Sequence, residues 1–288
     1  MSRKKREFEE AAATNTRTFL HYFNKIKQIA ISSFKWDGLP EFMNERFIET
    51  TLFNKAAVAV FLDADISSDP IALPMIAGAD IDLIGDPKNW TGESINGYIS
   101  RRLNRDNSVP IWNNMLRQSE LNTANIFAKK LYLIDRVIDI NVNAQKTPVL
   151  ITSTDAQRLT MENLYMQYDG NYPFIFGDKN LDFDQIKVLN TNAPYLADRI
   201  YELKTKIWNE VMSMYGVTST TIQKKERMIK DEVAQANAGS ISNRFSRLQT
   251  RKEAAEKINK MFGTNITVEF RLDEIPEADP MREGLGNE

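Results

Sequence analysis

The chain of 288 residues contains no cysteine and a single histidine, His21. The first absence excludes a disulfide framework and thiolate metal sites, and it fits a reducing interior. The second excludes multi-histidine metal sites and catalytic triads that contain histidine. We interpret His21 itself as a packing or surface residue.

Long apolar runs are also missing. The longest, Ala56–Leu62, is far shorter than a membrane span. The polar start MSRKKREFEE is not followed by an apolar stretch, as it would be in a secretory signal. We therefore expect a soluble, cytoplasmic chain.

The net charge is only −2, whereas proteins that bind duplex DNA tightly usually carry a basic surplus. The charges are unevenly placed, because the chain starts basic and its last sixteen residues carry six carboxylates and one arginine. A solvated tail is one interpretation of the basic start, and an arm that touches nucleic acid or an acidic partner is the other. The residues of this start are Arg3, Lys4, Lys5 and Arg6.

Catalytic signatures are absent from the sequence. It contains no GxxxxGK[ST], GxGxxG or GxSxG motif. The sharpest carboxylate cluster is Asp80, Asp82 and Asp86, whose oxygens are possible metal ligands but whose spacing matches no EF-hand. We expect no cofactor, no metal and no enzymatic activity.

Apolar periodicity predicts long helices over 14–34 and 120–146. The second carries two apolar stripes, so it requires neighbours on two sides. One stripe consists of Phe127, Leu131, Ile134, Ile138 and Val142. The other consists of Ile126, Leu133, Val137 and Ile140.

Downstream of Pro148 the pattern becomes mixed, which predicts an α+β, predominantly helical fold. The small, polar stretch 234–247 has little to bury, so it is predicted to be a loop. The other predicted elements are strands over 147–151, 172–176, 182–190 and 266–272, and helices over 161–168, 192–215, 220–233 and 250–262.

Several stretches together resemble the connector, or portal, proteins of small short-tailed bacteriophages. They follow the order of that family and cover a little under half of the chain. They are HYFNKIKQIAISSFKWDGLP (21–40), INVNAQKTPVLI (140–151), NTNAPYLADRIYELKTKIWNEVM (190–212), KKERMIKDEV (224–233) and EKINKMFGTNITVEFR (256–271).

The resemblance implies a portal fold, in which stem helices surround a channel, a β-rich clip projects from the head and a mixed α/β wing lies inside. Applied to this chain, it gives a basic arm over 1–13 and stem helices over 14–35, 120–146 and 191–213. It places the clip at 147–190, the wing at 36–119 and 214–288, and a channel loop at 234–249.

The resemblance also implies a dodecameric ring at the head–tail vertex of the virion, assembled in the host cytoplasm, through which DNA is packaged and ejected. The implied partners are other copies of the chain, double-stranded DNA in transit, the packaging ATPase, the lower collar and tail, the major capsid and scaffolding proteins, and in some members a packaging RNA.

Candidate contact residues follow from this assignment. We expect cations of the third stem helix and of the channel loop to meet DNA, and the clip tyrosines to meet its partners. The channel candidates are Arg199, Lys204, Lys206, Arg244, Phe245 and Arg247. The clip candidates are Tyr165, Tyr168 and Tyr172. Two alternatives remain: a monomeric or dimeric nucleic-acid-binding module that uses the basic start, and a metal-dependent hydrolase built on the carboxylate cluster.

Overall fold

The computed structural model describes residues 3–145, 149–151, 186–188, 194–217 and 230–271. The chain divides into two compact units. The larger unit combines Met1–Tyr132 with Lys204–Glu288, and the smaller is Leu133–Leu203.

The helices are α1 (Arg3–Ile31), α2 (Glu45–Lys55), α3 (Leu121–Ala144), α4 (Ala197–Met214) and α5 (Lys230–Phe262). Local chemistry sets their ends. The Asn44 side chain accepts a hydrogen bond from the Phe47 N–H at 3.0 Å, which satisfies a free donor in the first turn of α2. Helix α3 coincides with the helix predicted over 120–146, and none of the described helices is long and apolar enough to cross a membrane.

The strands are β1 (Phe34–Asp37), β2 (Ala57–Phe61), β3 (Ile71–Ala77), β4 (Trp90–Gly92), β5 (Ser108–Trp112), β6 (Val149–Ile151), β7 (Ile186–Val188) and β8 (Thr267–Phe270). In the larger unit, antiparallel strands form a sheet of order β4-β3-β2-β5 and a separate β1–β8 pair. In the smaller unit, β6 pairs with β7.

Strand β2 is buried on both faces, which explains why its sequence, AVAVF, is apolar throughout. Val58 and Val60 join a core with α5 residues such as Ile258. The alternate residues, including Phe61, join a second core around Trp90 and Leu103. The sheet therefore lies between two apolar clusters. A third cluster, around Ile26, Leu131 and Val211, joins α1, α3 and α4 within the larger unit.

The first helix differs from the prediction at both ends. It begins at Arg3, so most of the segment expected to be an arm is helical backbone. It ends at Ile31, because the next residues form β1, whose Phe34 and Trp36 lie opposite Phe270 and Val268 of β8. Phe34, the last residue of the helix predicted over 14–34, is thus a core residue of a strand pair.

The predicted loop over 234–249 is wrong, because this segment belongs to the continuous helix α5. It appeared to have little to bury because two of its buried side chains are polar or charged. Ser240 and Arg247 are buried, and the Ser240 hydroxyl donates to the Ser213 Oγ at 2.8 Å. The helix predicted to begin at Thr250 is therefore the second half of a longer one.

Helix α4 begins at Ala197 and not near Asn192 as predicted. Its start is held by Asn141 of α3, whose Nδ2 donates to the Pro194 carbonyl and whose Oδ1 accepts from the Leu196 N–H, both at 2.9 Å. Strands β6 and β7 fall inside the predicted strands 147–151 and 182–190. The elements predicted over 161–168, 172–176 and 220–229 lie outside the described residues.

Two glycines allow a direct test of the packing between β1 and the segment before β8. Gly38 and Gly263 both have positive φ, at 73° and 68°. A Cβ on Gly38 would lie 2.2 Å from the Asn265 carbonyl oxygen, whereas a Cβ on Gly263 would meet nothing within 4 Å. Gly263→Ala should lower the unfolding free energy by about 1–2 kcal/mol through backbone strain alone.

Gly38→Ala should cost at least ~1 kcal/mol more than Gly263→Ala, because the added methyl also forces the backbone apart. Urea denaturation of both variants measures the difference. Equal losses would contradict the close approach at Gly38.

Candidate nucleic-acid interface

Helix α4 carries three of the predicted channel residues, and the structure separates them into two groups. Arg199 and Lys206 are exposed and lie seven residues apart, so they share one helix face. Lys204 is half-buried, and its Nζ lies 5.6 Å from the ring centroid of Tyr22 on α1. Lys204 therefore takes part in helix packing, and the other two cations remain available.

The exposed side of α4 is not uniformly basic. Glu202 and Glu210 are exposed on it together with Arg199 and Lys206. Attraction to nucleic acid grows with the number of phosphates that cations neutralise, and neighbouring carboxylates reduce it. Such a surface can contact DNA without holding it tightly.

On helix α5, Arg244 is half-buried and Phe245 is exposed. The Arg244 guanidinium carbon lies 4.3 Å from the ring centroid of Phe270 on β8, and burial lowers the pKa of this arginine. Gly216, which follows α4, permits this packing, because a Cβ there would lie 2.6 Å from the Arg244 Cβ. Of this pair only Phe245 turns mainly toward solvent.

Arg247 does not fit the predicted role of a DNA contact, because its side chain is buried. Its Nε lies 3.1 Å from Oε1 of Glu120, and its guanidinium carbon lies 4.9 Å from the Phe34 centroid and 5.1 Å from the Tyr215 centroid. Burial lowers the pKa of Arg247, an effect that Glu120 opposes. A phosphate cannot reach this guanidinium without unpacking the core around it.

Arg251, one turn further along α5, forms the most deeply buried ion pair of the described residues. Its Nε and Nη2 donate to the two carboxylate oxygens of Glu49 on α2, each at 2.8 Å. Its Nη1 donates to the carbonyls of Asn113 and Arg247, and the guanidinium lies 4.1 Å from the Phe34 centroid. The Glu49 carboxylate also accepts from the Trp36 indole at 2.9 Å.

Sequence reasoning missed this network. Its partners lie 202 positions apart, so no local spacing connects them. The one available signal was a charged residue, Glu49, between Ile48 and Leu52 in an apolar helix face. The network fixes α2, β1 and α5 together, and it turns two cations of α5 away from solvent.

The carboxylate cluster is neutralised by arginines. Asp80 pairs with Arg102 at 3.2 Å, and Arg105 bridges Asp82 and Asp86 at 2.8 and 2.9 Å. Hydrogen bonds from the Asp86 and Ile84 N–H groups to Asp82 lower the pKa of that carboxyl. No group of three acidic or histidine residues in the described ranges could hold a metal ion. These contacts give the cluster a structural role.

The remaining predicted contact residues are not tested by these contacts. Arg3–Arg6 form the first residues of α1. The tyrosines predicted for the clip, at positions 165, 168 and 172, lie outside the described residues. Both assignments stay predictions.

Comparison with solved structures finds portal proteins. The chain superposes on a chain from the portal and tail of native bacteriophage P68 with a TM-score of 0.52 and 13% identity, covering 93% of this chain and 90% of that one. An HK97 family phage portal protein from Corynebacterium diphtheriae matches with a TM-score of 0.46 and 12% identity, over 90% and 95% of the two chains. A chain of a native gene transfer agent particle matches at 0.47 and 12% identity, over 92% and 84%.

The likeness to the bacteriophage P68 chain shows that the fold is the α+β fold of a phage portal protein. The model of the family described as Phage Connector (GP10) matches residues 3–275. The chain belongs to the phage connector family, a family of structural proteins, and its function is that of a head–tail connector. The resemblance and the fold class predicted from the sequence are confirmed.

Breaking the Arg251–Glu49 pair on one side should strongly destabilise the fold. Arg251→Met leaves the Glu49 carboxylate buried without its main partner, and the free energy of unfolding should fall by about 3–5 kcal/mol. A double variant, Arg251→Met with Glu49→Leu, removes both charges and should recover most of that loss. Urea denaturation followed by circular dichroism measures both; a double variant no more stable than the single one would contradict the account.

Proposed function

We propose that this connector assembles as a dodecameric ring at one vertex of the phage head and forms the conduit through which DNA is packaged and ejected. The observation that carries the proposal is an apolar stripe of α3 whose four large side chains are exposed. The proposal includes no catalytic activity and no cofactor.

The two stripes of α3 differ in burial. Phe127 and Leu131 of the first stripe are buried in the helical core. All residues of the second stripe are 45–60% exposed: Ile126, Leu133, Val137 and Ile140. Solvated helices do not usually present four large aliphatic side chains in line, and such surfaces mark protein interfaces.

Helix α4 carries a second apolar surface at Tyr201 and Leu203, which are 61% and 50% exposed. An apolar stripe on one helix and a different apolar surface on another suit a heterologous contact, in which one face of a subunit meets another face of the next. Contacts of this kind produce a closed ring when the rotation between neighbours allows it.

In the proposed ring, α1, α3 and α4 belong to the stem, 147–190 forms the clip, and 36–119 with 214–288 forms the wing. Arg199 and Lys206 are the proposed lumen contacts on α4, and Phe245 is a further contact on α5. Their number is small, and carboxylates accompany those on α4. A conduit needs this balance, because strong phosphate binding would hold DNA in place.

The proposed partners follow from the same role. The clip would dock the packaging ATPase during filling and the lower collar and tail afterwards, and the wing would face the major capsid and scaffolding proteins inside the head. The basic residues Arg3–Arg6 would meet a packaging RNA where one is used. The ring would reside at the head–tail vertex of the virion.

Ring assembly should depend on the second stripe of α3. Val137→Asp would place a charge in the proposed contact, so the purified variant should elute near the 33.1 kDa of one chain and show no rings in negative stain. Asn143→Asp, about 120° away round the same helix, is the matched control and should form rings normally.

A wild-type chain that stays monomeric or dimeric at every salt and protein concentration would overturn the ring. It would favour the nucleic-acid-binding module instead.

The lumen contacts can be tested on assembled rings. Arg199→Gln with Lys206→Gln should leave the ring intact and weaken DNA binding. The slope of log affinity against log salt should fall by about one for each phosphate that the variant no longer neutralises. Lys55→Gln, at an exposed position on α2, is the control. An unchanged slope in the double variant would place the lumen contacts elsewhere.

A further inference from the structure

Strand β5 leaves one edge of the four-stranded sheet open. It is the end strand of the order β4-β3-β2-β5. The Asn113 N–H donates to the Ala56 carbonyl at 2.9 Å, so by alternation Ser108, Pro110 and Trp112 direct their backbone groups away from β2. Pro110 therefore stands where its missing N–H breaks no bond of the sheet.

A groove of about 750 Å³ runs along this edge. Ser108, Val109, Pro110 and Trp112 line it on one side, so it contacts both faces of the strand. One face of α5, from Gln249 to Met261, lines the other side. Five strand residues and thirteen helical residues span about 17 and 18 Å respectively, so both walls have similar lengths. The groove is long enough for an extended segment of about five residues.

The groove is lined by more cations than anions. Arg105, Arg117, Lys257 and Lys260 face Asp86 and Glu253. Asp86 already pairs with both arginines, so their charges are partly neutralised. Lys257 and Lys260 are exposed, and neither has an ion-pair partner among the described residues. An acidic extended segment would satisfy both the lysines and the strand edge.

We propose that the groove binds the acidic C-terminal segment of the same chain, residues 272–288, along the edge of β5. This segment contains six carboxylate side chains and one arginine. It follows Arg271, which comes directly after β8, and β8 packs against the same helix α5. Seventeen residues can reach up to roughly 55 Å, and the covalent tether gives them a millimolar effective concentration.

The bound segment would cover a strand edge that could otherwise pair with another chain. It would also screen two exposed lysines from nucleic acid. The inference does not depend on how many copies form the ring, since every element of the groove comes from one chain.

The test uses the full-length protein and measures how fast each lysine reacts with an acetylating reagent, by mass spectrometry. At low salt Lys257 and Lys260 should react at least about threefold more slowly than Lys252, an exposed lysine of α5 that does not line the groove. The difference should disappear near 1 M salt, where charges are screened beyond about 3 Å.

A tail variant keeps the groove unchanged. Asp273→Asn, Glu274→Gln, Glu277→Gln and Asp279→Asn together should remove the protection of Lys257 and Lys260 at low salt. Equal reactivity of the three lysines in the wild-type chain, or protection that appears only when DNA is added, would overturn the proposal.

Zero-length cross-linking of rings assembled from a mixture of light and isotope-labelled chains identifies the source of the segment. Cross-links from Lys257 or Lys260 to the tail should join peptides of one isotope only, and mixed pairs would overturn the assignment to the same chain. Negative-stain images of the same samples show independently whether rings form. Rings in which Lys257 and Lys260 are not protected would contradict the tail site and leave the proposed ring unaffected.

Discussion

The larger unit depends on the buried ion pair between Arg251 and Glu49. A guanidinium removed from water is tolerated only if its donors and its charge are satisfied. The Glu49 carboxylate, the Asn113 carbonyl and the face of Phe34 meet it from three other segments of the chain. Because those segments are distant in sequence, the pair also specifies how α2, β1 and α5 are arranged, which aliphatic contacts alone define less sharply.

Helix α5 takes part in both the apolar and the ionic packing of this unit. Ala254, Ala255 and Ile258 of α5 pack in the aliphatic core, and in the preceding turns Arg244, Arg247 and Arg251 pack against aromatic rings and carboxylates. The cations that looked available for DNA are therefore largely engaged inside the subunit. Exposed positive charge remains on α4, where Glu202 and Glu210 accompany it. In a connector built this way, the arginines of α5 stabilise the subunit itself.

The sequence predicted what depends on local pattern. The stripes of α3 were visible because Phe127, Leu131 and their neighbours recur at helical spacing. Prediction from the sequence failed where the buried side chains are polar or where contacts join residues that are distant in sequence. The segment 234–249 was predicted to be a loop because Ser240 and Arg247 are not residue types expected in a core. The helix predicted over 14–34 extended into β1 because the pairing of β1 with β8 joins positions more than two hundred apart. The role of Glu49 was not predicted because its partner, Arg251, lies 202 positions away in the sequence.

The amide of Asn141 has a consequence for how this architecture can vary. By binding the Pro194 carbonyl and the Leu196 N–H, it fastens the end of α3 to the start of α4 within the smaller unit. The chain between the end of α3 and the start of α4 therefore begins and ends at neighbouring points. Changing the length of the segment between these two fixed ends costs little free energy, since the entropy of closure changes only with the logarithm of the length. The length of this segment can therefore change while both helices keep their register.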